Sequence, residues 1–284
     1  MRTTTLQGWQ GLSLAADIND AGAGPTVILL HGGGQTRHAW SGAARQLAAQ
    51  GYRTIAYDAR GHGGSGWAED GNYTTDALVA DLKAIVAALP APPALVGASM
   101  GGITALTAIG ETDTPLASAL VLVDVAPTIE RRGVEAIRRF MTANPGGFAS
   151  LEAAADAVAA YNPSRPRPKD PSGLKKNLRL GEDGRLYWHW DPRIIAGSQE
   201  EHVAYLQAYE TRMSNAARGI RVPTLLVRGS QSDVVSPEGA KHLQQLIPQA
   251  EIADIAGAGH MVAGDRNDAF NDAVIGFLNR SLRG

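Results

Sequence analysis

Apolar and polar residues alternate over 3–8 and 11–18, on either side of Gly8-Trp9-Gln10-Gly11, and this period of two predicts an antiparallel opening pair of strands. The next apolar segment is of a different kind. Thr26-Val27-Ile28-Leu29-Leu30 is continuously apolar, the pattern of a strand covered on both faces. From His38 to Gln50 the apolar spacing lengthens to that of a helix (Trp40, Ala44, Leu47, Ala48), with Gly51 as its stop. Arg53 to Tyr57 reads as strand again. Residues 74–89 then place Leu78, Leu82, Ile85, Val86 and Leu89 on one helical face, until Pro90 to Pro93 end the pattern. A short apolar run through Leu95-Val96 leads into Gly97-Ala98-Ser99-Met100-Gly101-Gly102 and a helix-compatible Ile103 to Ala108. Ala117 to Val123 is one more buried strand, ending at Asp124. The order β-α-β-α-β-α-β with short connections predicts an α/β fold, a mostly parallel twisted sheet with helices on both faces.

The rhythm breaks at Ala126-Pro127. Residues 134–143, 150–160 and 200–216 have helical spacing, and no strand of comparable strength lies between them. Asn162-Pro163-Ser164-Arg165-Pro166-Arg167-Pro168 is too rich in proline for regular structure. The rhythm returns with a strand at 222–229, a helix from Pro237 to Leu246, a strand at 251–255 and a helix from Asp268 to Leu282. The expected division is therefore a core of residues 1–126 and 220–284, with 127–219 inserted as a helical cap over one edge of the sheet.

Composition narrows the class. The 284 residues are 44% hydrophobic and 19% charged, ordinary for a soluble globular chain. Lys and Arg number 26 against 28 Asp and Glu, with no basic stripe, so nucleic acid and anionic membrane surfaces are not expected partners. A small-molecule substrate is. Cysteine is absent, which removes disulfides, thiolate metal sites and cysteine nucleophiles together. The first residues lack an apolar core of signal-peptide length and no apolar run approaches membrane-spanning length, so a cytoplasmic location is expected.

The chemistry is organised around Gly97-x-Ser99-x-Gly101. A serine at the apex of a sharp strand-to-helix turn presents its Oγ above the sheet, and Met100 opens the helix with an N–H aimed at the same space. His31-Gly32-Gly33-Gly34 ends a neighbouring strand and can turn backbone N–H groups towards a ligand. Gly33 and Met100 are the candidate oxyanion donors, with Gly34 the alternative if the loop is turned by one residue. Of seven histidines, His260 lies between the last strand and the last helix, on the side of the sheet where Ser99 emerges, and is the candidate general base. His31 reads as a structural hydrogen-bonding residue and His62 as a brace for its turn. His189 is a possible substrate contact, and His38, His202 and His242 carry no signal. A base of this kind needs a carboxylate to hold its tautomer. Asp233, in the loop after the strand at 223–227, is the expected acid, and Asp124, at the end of the strand at 117–123, is the alternative. The chain order Ser99, Asp233, His260 is that of nucleophile-elbow enzymes.

These motifs carry a resemblance. The His31-Gly32 turn with Trp40 downstream, the Asp58-x-Arg60-Gly61-His62-Gly63-x-Ser65 loop, the Gly97-x-Ser99-x-Gly101-Gly102 elbow, Asp233 and Gly259-His260 together resemble the α/β-hydrolase superfamily. The likeness is closest to the branch of small esterases, enol-lactonases, carbon–carbon bond hydrolases and cofactor-free haloperoxidase-like perhydrolases. Epoxide hydrolases and haloalkane dehalogenases share the pattern but carry aspartate where this chain has Ser99. The resemblance implies cofactor-free, metal-free acyl transfer through Ser99, and it stops at the insertion. There Tyr187-Trp188-His189-Trp190 is the densest aromatic cluster in a chain with 6% aromatics, and it serves either packing or substrate contact. On the second reading Gly34, Trp188, His189, Trp190 and Met261 line a largely apolar pocket, to which Phe140, Met141 and Phe148 add, suited to a small or medium hydrophobic ester or lactone. Arg60, Arg131 and Arg138 are either carboxylate-binding or ordinary surface residues. Carbon–carbon cleavage, perhydrolysis and a ligand-binding receptor with residual hydrolysis are the competing functions.

Overall fold

A computed structural model describes residues 1–163, 167–196, 199–265 and 267–283, with the backbone alone described at 199, 264 and 265. Residues 164–166, in the middle of the proline-rich stretch 162–168, lie outside the described residues.

Among the described residues ten strands form, β1 (Arg2–Gln7), β2 (Ser13–Asn19), β3 (Thr26–Leu30), β4 (Arg53–Tyr57), β5 (Ala94–Ala98), β6 (Ala119–Val123), β7 (Leu178–Leu180), β8 (Leu186–Trp188), β9 (Thr224–Gly229) and β10 (Ala250–Ile255). Eight of them make one sheet in the order β1-β2-β4-β3-β5-β6-β9-β10. β1 and β2 pair antiparallel, β2 meets β4 antiparallel, and every later pair is parallel. β3 has β4 on one side and β5 on the other, so the chain reverses its direction of travel across the sheet there. Such a switch point leaves a crevice at the carboxyl ends of the two strands. The registers Leu30↔Gly97, Ala98↔Val123 and Val123↔Val227 end β3, β5, β6 and β9 at nearly one level. His31, Ser99, Asp124 and Arg228 are therefore delivered to a common edge.

The helices are α1 (Ser41–Ala49), α2 (Thr75–Ala87), α3 (Met100–Gly110), α4 (Arg131–Thr142), α5 (Leu151–Tyr161), α6 (Gln199–Gly219), α7 (Pro237–Leu246), α8 (Val262–Asp265) and α9 (Asn267–Arg283). Alternate strand residues face opposite layers, as the continuous apolar runs require. Val27, Leu29, Val96, Val121 and Val227 pack with Trp40, Phe270 and Phe277 beneath α1 and α9. Ile28, Leu30, Leu95, Leu120 and Leu226 pack with Leu82, Leu106, Met213 and Leu243 beneath α2, α3, α6 and α7. Thr74, Ser150 and Ser236 cap α2, α5 and α7 by accepting the N–H three residues on.

The segment between β6 and β9 differs from the all-helical expectation. It holds α4, α5 and α6 but also the antiparallel pair β7–β8, to which Phe148 adds a bridge at Leu186. Three-residue strands joined through Gly181-Glu182-Asp183-Gly184 are too short to show a period of two. Met141, Phe148, Ala154, Trp188 and Trp190 form a small core of its own, whereas Tyr209, Met213, Ala216 and Ala217 of α6 belong to the main core. Among the described residues no helix is long and apolar enough to cross a membrane.

Candidate active site

Ser99 stands between β5 and α3 with φ 46° and ψ −115°, a conformation that side-chain-bearing residues rarely hold. The surrounding backbone leaves no alternative path. A Cβ at Gly97 would lie 2.5 Å from the carbonyl of Gly101, and one at Gly101 would lie 2.4 Å from the carbonyl oxygen of Leu30. β3, β5 and α3 thus meet backbone to backbone, which only glycine permits. The Ser99 N–H donates to the Val123 carbonyl (3.1 Å), tying the apex to the end of β6. Met100 is the first residue of α3, so its N–H has no acceptor within the helix.

One step further along β6, Asp124 also has a left-handed backbone (φ 50°) and a wholly buried carboxylate. Oδ1 accepts the Gly229 N–H (3.1 Å). Oδ2 accepts the Ser232 hydroxyl (2.5 Å) and lies 2.7 Å from His260 Nδ1. The carboxylate facing His260 is therefore that of Asp124, a correction to the expectation of Asp233. The loop after β9 explains it. Ser230 and Gln231 donate their N–H groups to Ile255 and Ala258, drawing the chain towards the His260 loop. Ser232 Oγ then accepts the N–H groups of Val234 and Val235 (3.1 Å each) while donating to Asp124. In so tight a turn Asp233 is left exposed, and its carbonyl packs against Gly133 of α4, where a Cβ would come within 2.2 Å. With Nδ1 committed to Asp124, Nε2 is the nitrogen of His260 left to exchange a proton.

The glycine loop is held by three buried histidines. His31 donates from Nδ1 to its neighbour's carbonyl, Gly32 O (2.8 Å), and accepts the Ala59 N–H at Nε2 (2.9 Å). His62 donates from Nδ1 to Arg60 O (3.0 Å) and accepts the Gly34 N–H at Nε2 (3.2 Å). His189 accepts the Gly63 N–H at Nδ1 (2.7 Å) and donates from Nε2 to Gly34 O (3.3 Å). In each ring an amide N–H faces one nitrogen and a carbonyl the other, so one neutral tautomer satisfies both. Burial pushes all three pKa values down, that of His62 well below the ordinary histidine value and that of His189 to about 4. The rings adjoin in sequence and are tilted to one another, 5.1 Å and 60° from His31 to His62 and 5.8 Å and 50° from His62 to His189. Because the Gly34 amide is taken by His62, Gly33 remains as the loop's donor; a Cβ at Gly33 would meet nothing within 4 Å, so that position borders open space.

A family model described as the alpha/beta hydrolase fold matches residues 25–266, spanning the glycine loop, the elbow and His260. The chain belongs to that family. It is 30% identical over 265 residues to the esterase Rv0045c of Mycobacterium tuberculosis, covering 91% of this chain and 84% of that protein. It is 28% identical over 269 residues to the sn-1-specific diacylglycerol lipase ABHD11 of Mus musculus, covering 89% and 81%. Among solved structures, E-2-(acetamidomethylene)succinate hydrolase superposes with a TM-score of 0.83 over 98% of this chain and 99% of that one, at 22% identity, a likeness of fold alone.

Within this α/β-hydrolase the elements gather Ser99, Met100, Gly33, Asp124 and His260 at the switch-point edge and leave Asp233 outside it. The aromatic residues of the segment between β6 and β9 divide. Trp188 stacks on Trp190 (5.1 Å, 12°) and packs edge-on to Phe148, deep in the small core. Trp190 and Met141 reach further, beside the glycine loop, where a Cβ at Gly34 would lie 3.2 Å from Trp190 and 3.4 Å from Met141. His189 is spent on backbone groups rather than facing a substrate, and half-buried Met261 follows His260 directly. Arg60 is neither a surface residue nor a free anion site. It is buried, with its fork on Asp81 (2.7 and 2.8 Å). Ser232 is the member of the constellation that no motif marks; a hydroxyl three residues past the end of a strand has no periodicity to betray it.

Proposed function

We propose that the chain is a serine hydrolase that cleaves small to medium hydrophobic carboxylic esters or lactones through an acyl-enzyme. The observation that carries the reading is the 2.7 Å contact of His260 Nδ1 with Asp124, at the end of the strand beside Ser99. Asp124 keeps the proton on Nδ1 and stabilises the imidazolium, so Nε2 can accept a proton. Ser99 Oγ attacks the carbonyl carbon as its proton passes to Nε2. The carbonyl oxygen takes up negative charge against the N–H groups of Gly33 and Met100. In serine proteases one such donor is worth about 3–4 kcal/mol of transition-state stabilisation. The tetrahedral species collapses, the alcohol leaves with the proton from Nε2, and water repeats the sequence to release the acid.

The ester class is supported by the apolar side chains beside the glycine loop, where Trp190 and Met141, members of one apolar cluster, stand close enough to Gly34 to leave little room for a Cβ. The similarity to an esterase and a lipase supports the same class. The test is a panel of p-nitrophenyl esters from acetate to decanoate, with butyrolactone and caprolactone, on the wild-type chain and Ser99→Ala. Turnover peaking at short or medium chains and abolished in Ser99→Ala is expected, together with covalent fluorophosphonate labelling of Ser99. Undiminished turnover in Ser99→Ala would overturn the scheme.

A further inference from the structure

The three histidines do more than fill space around the glycine loop. A peptide group is planar, so fixing its C=O fixes the N–H on its far side. The Gly33 N–H shares a peptide with the Gly32 carbonyl, which accepts from His31 Nδ1 and from the Gln35 N–H (3.1 Å). The next peptide is held by its N–H, donated from Gly34 to His62. The one after is held by its C=O, Gly34 O, which accepts from His189. Three consecutive peptides are thus each gripped by an imidazole. The core supplies two of the rings; the third comes from the end of β8, in the insertion. That same short segment is sewn to the core by further bonds. The Asp191 N–H donates to Gly61 O (2.9 Å), the Tyr73 hydroxyl bonds the Asp191 carboxylate, and Arg193 donates to Ala68 O (2.9 Å).

We propose that His189 is a positioning residue for the oxyanion loop, so that the Gly33 N–H is correctly aimed only when the 186–193 segment of the insertion is seated on the core. The proposal rests on the hydrolase reading above for its effect on turnover, but not for its effect on the loop. His189 touches no reacting atom. It holds Gly34 O through Nε2–H and is itself oriented by the Gly63 N–H at Nδ1. Seating of that segment and transition-state stabilisation are thereby coupled, because the segment that carries Trp190 beside the glycine loop also sets the loop.

Conservative variants separate the two bonds of the ring. Gln places an amide N–H near the position of Nε2, and Asn places an acceptor near that of Nδ1. His189→Ala and His189→Asn are expected to lower kcat on p-nitrophenyl butyrate about 10–100-fold with KM within about threefold, a fraction of what loss of a whole oxyanion donor costs. His189→Gln is expected to recover most of that kcat. Affinity for a trifluoromethyl ketone, which forms the tetrahedral oxyanion, should fall in parallel with kcat, while affinity for the corresponding methyl ketone should not. Amide hydrogen exchange supplies a readout that needs no turnover. Residues 32–36 should lose protection in His189→Ala and regain it in His189→Gln. Unchanged kcat and unchanged protection in His189→Ala would overturn the proposal. So would equal losses in Gln and Asn that track the melting temperature, which is the signature of packing alone. If the wild-type chain hydrolyses no ester, the hydrolase reading falls, and protection of the loop still decides the role of His189.

Discussion

Replacing Asp124 by Asn tests which carboxylate supports His260. The side chain is wholly buried and accepts three hydrogen bonds, at 3.1 Å from Gly229 N, 2.5 Å from Ser232 Oγ and 2.7 Å from His260 Nδ1. Asn matches the shape. Its oxygen keeps the Gly229 N–H, a backbone donor that cannot turn away, which places the amide NH2 at the Oδ2 position, facing both Ser232 Oγ, whose hydroxyl can rotate, and His260 Nδ1. Facing a donor, Nδ1 must become the acceptor, so the proton moves to Nε2, the wrong tautomer for taking a proton from Ser99. The equivalent change in a serine protease lowers kcat about 10⁴-fold, or about 5 kcal/mol at 1.36 kcal/mol per decade. A loss of that order is expected in kcat on p-nitrophenyl butyrate, with KM little changed. Some loss of melting temperature should accompany it, since charge-assisted bonds to a buried carboxylate become neutral ones. Asp233→Asn, at an exposed residue, should stay within about twofold of the wild type. The two variants are read side by side in steady-state kinetics and thermal unfolding. A collapse of kcat in Asp233→Asn with Asp124→Asn near normal would refute the assignment.

Three further outcomes follow from the same geometry. The folded chain holds His31, His62 and His189 neutral below their ordinary pKa, so the unfolded chain binds more protons at these sites as pH falls below about 6.5. Stability is then full above about pH 6.5 and declines towards pH 4; His189 alone accounts for about 3 kcal/mol of it, and urea midpoints for wild type and His189→Gln across that window should converge at the acid end. Gly101→Ala would drive a methyl to 2.4 Å from the Leu30 carbonyl oxygen, and it should yield insoluble protein or a melting temperature lowered by many degrees, measured by calorimetry. Arg60→Ala strands the buried Asp81 carboxylate without its fork, so a loss of about 3–5 kcal/mol is expected in denaturant unfolding.

The sequence reveals the sheet well because both-face burial leaves an unbroken apolar run. Val27 to Leu30, Leu120 to Val123 and Leu225 to Val227 all occupy the central strands. The Ser99 turn is equally visible, since backbone contact at Gly97 and Gly101 admits no other residue type. The acid is not visible in the same way. Asp124 and Asp233 both follow a strand that ends at the same edge, and local sequence cannot say which strand end faces His260. The decision is tertiary, made by the Ser230–Ser232 turn and the bond from Ser232 to Asp124. The β7–β8 pair and the role of His189 are hidden as well. The three-residue strands of the pair are too short to show a period, and the role of His189 depends on contacts between segments more than a hundred residues apart, as in the bond from Gly63 to His189.

Two neighbouring strands finish on residues whose φ angles, 46° at Ser99 and 50° at Asp124, belong to the region glycine occupies without penalty. Strain of this kind typically costs about 1–3 kcal/mol per residue, more than the 0.5–1 kcal/mol by which glycine loosens an unfolded chain. Ser99→Gly should therefore melt above Ser99→Ala, the second keeping the contorted main chain and the first relaxing it. On the proposed mechanism, robustness is then raised at a position where raising it extinguishes turnover, and selection for thermal tolerance alone would drift towards a silent protein.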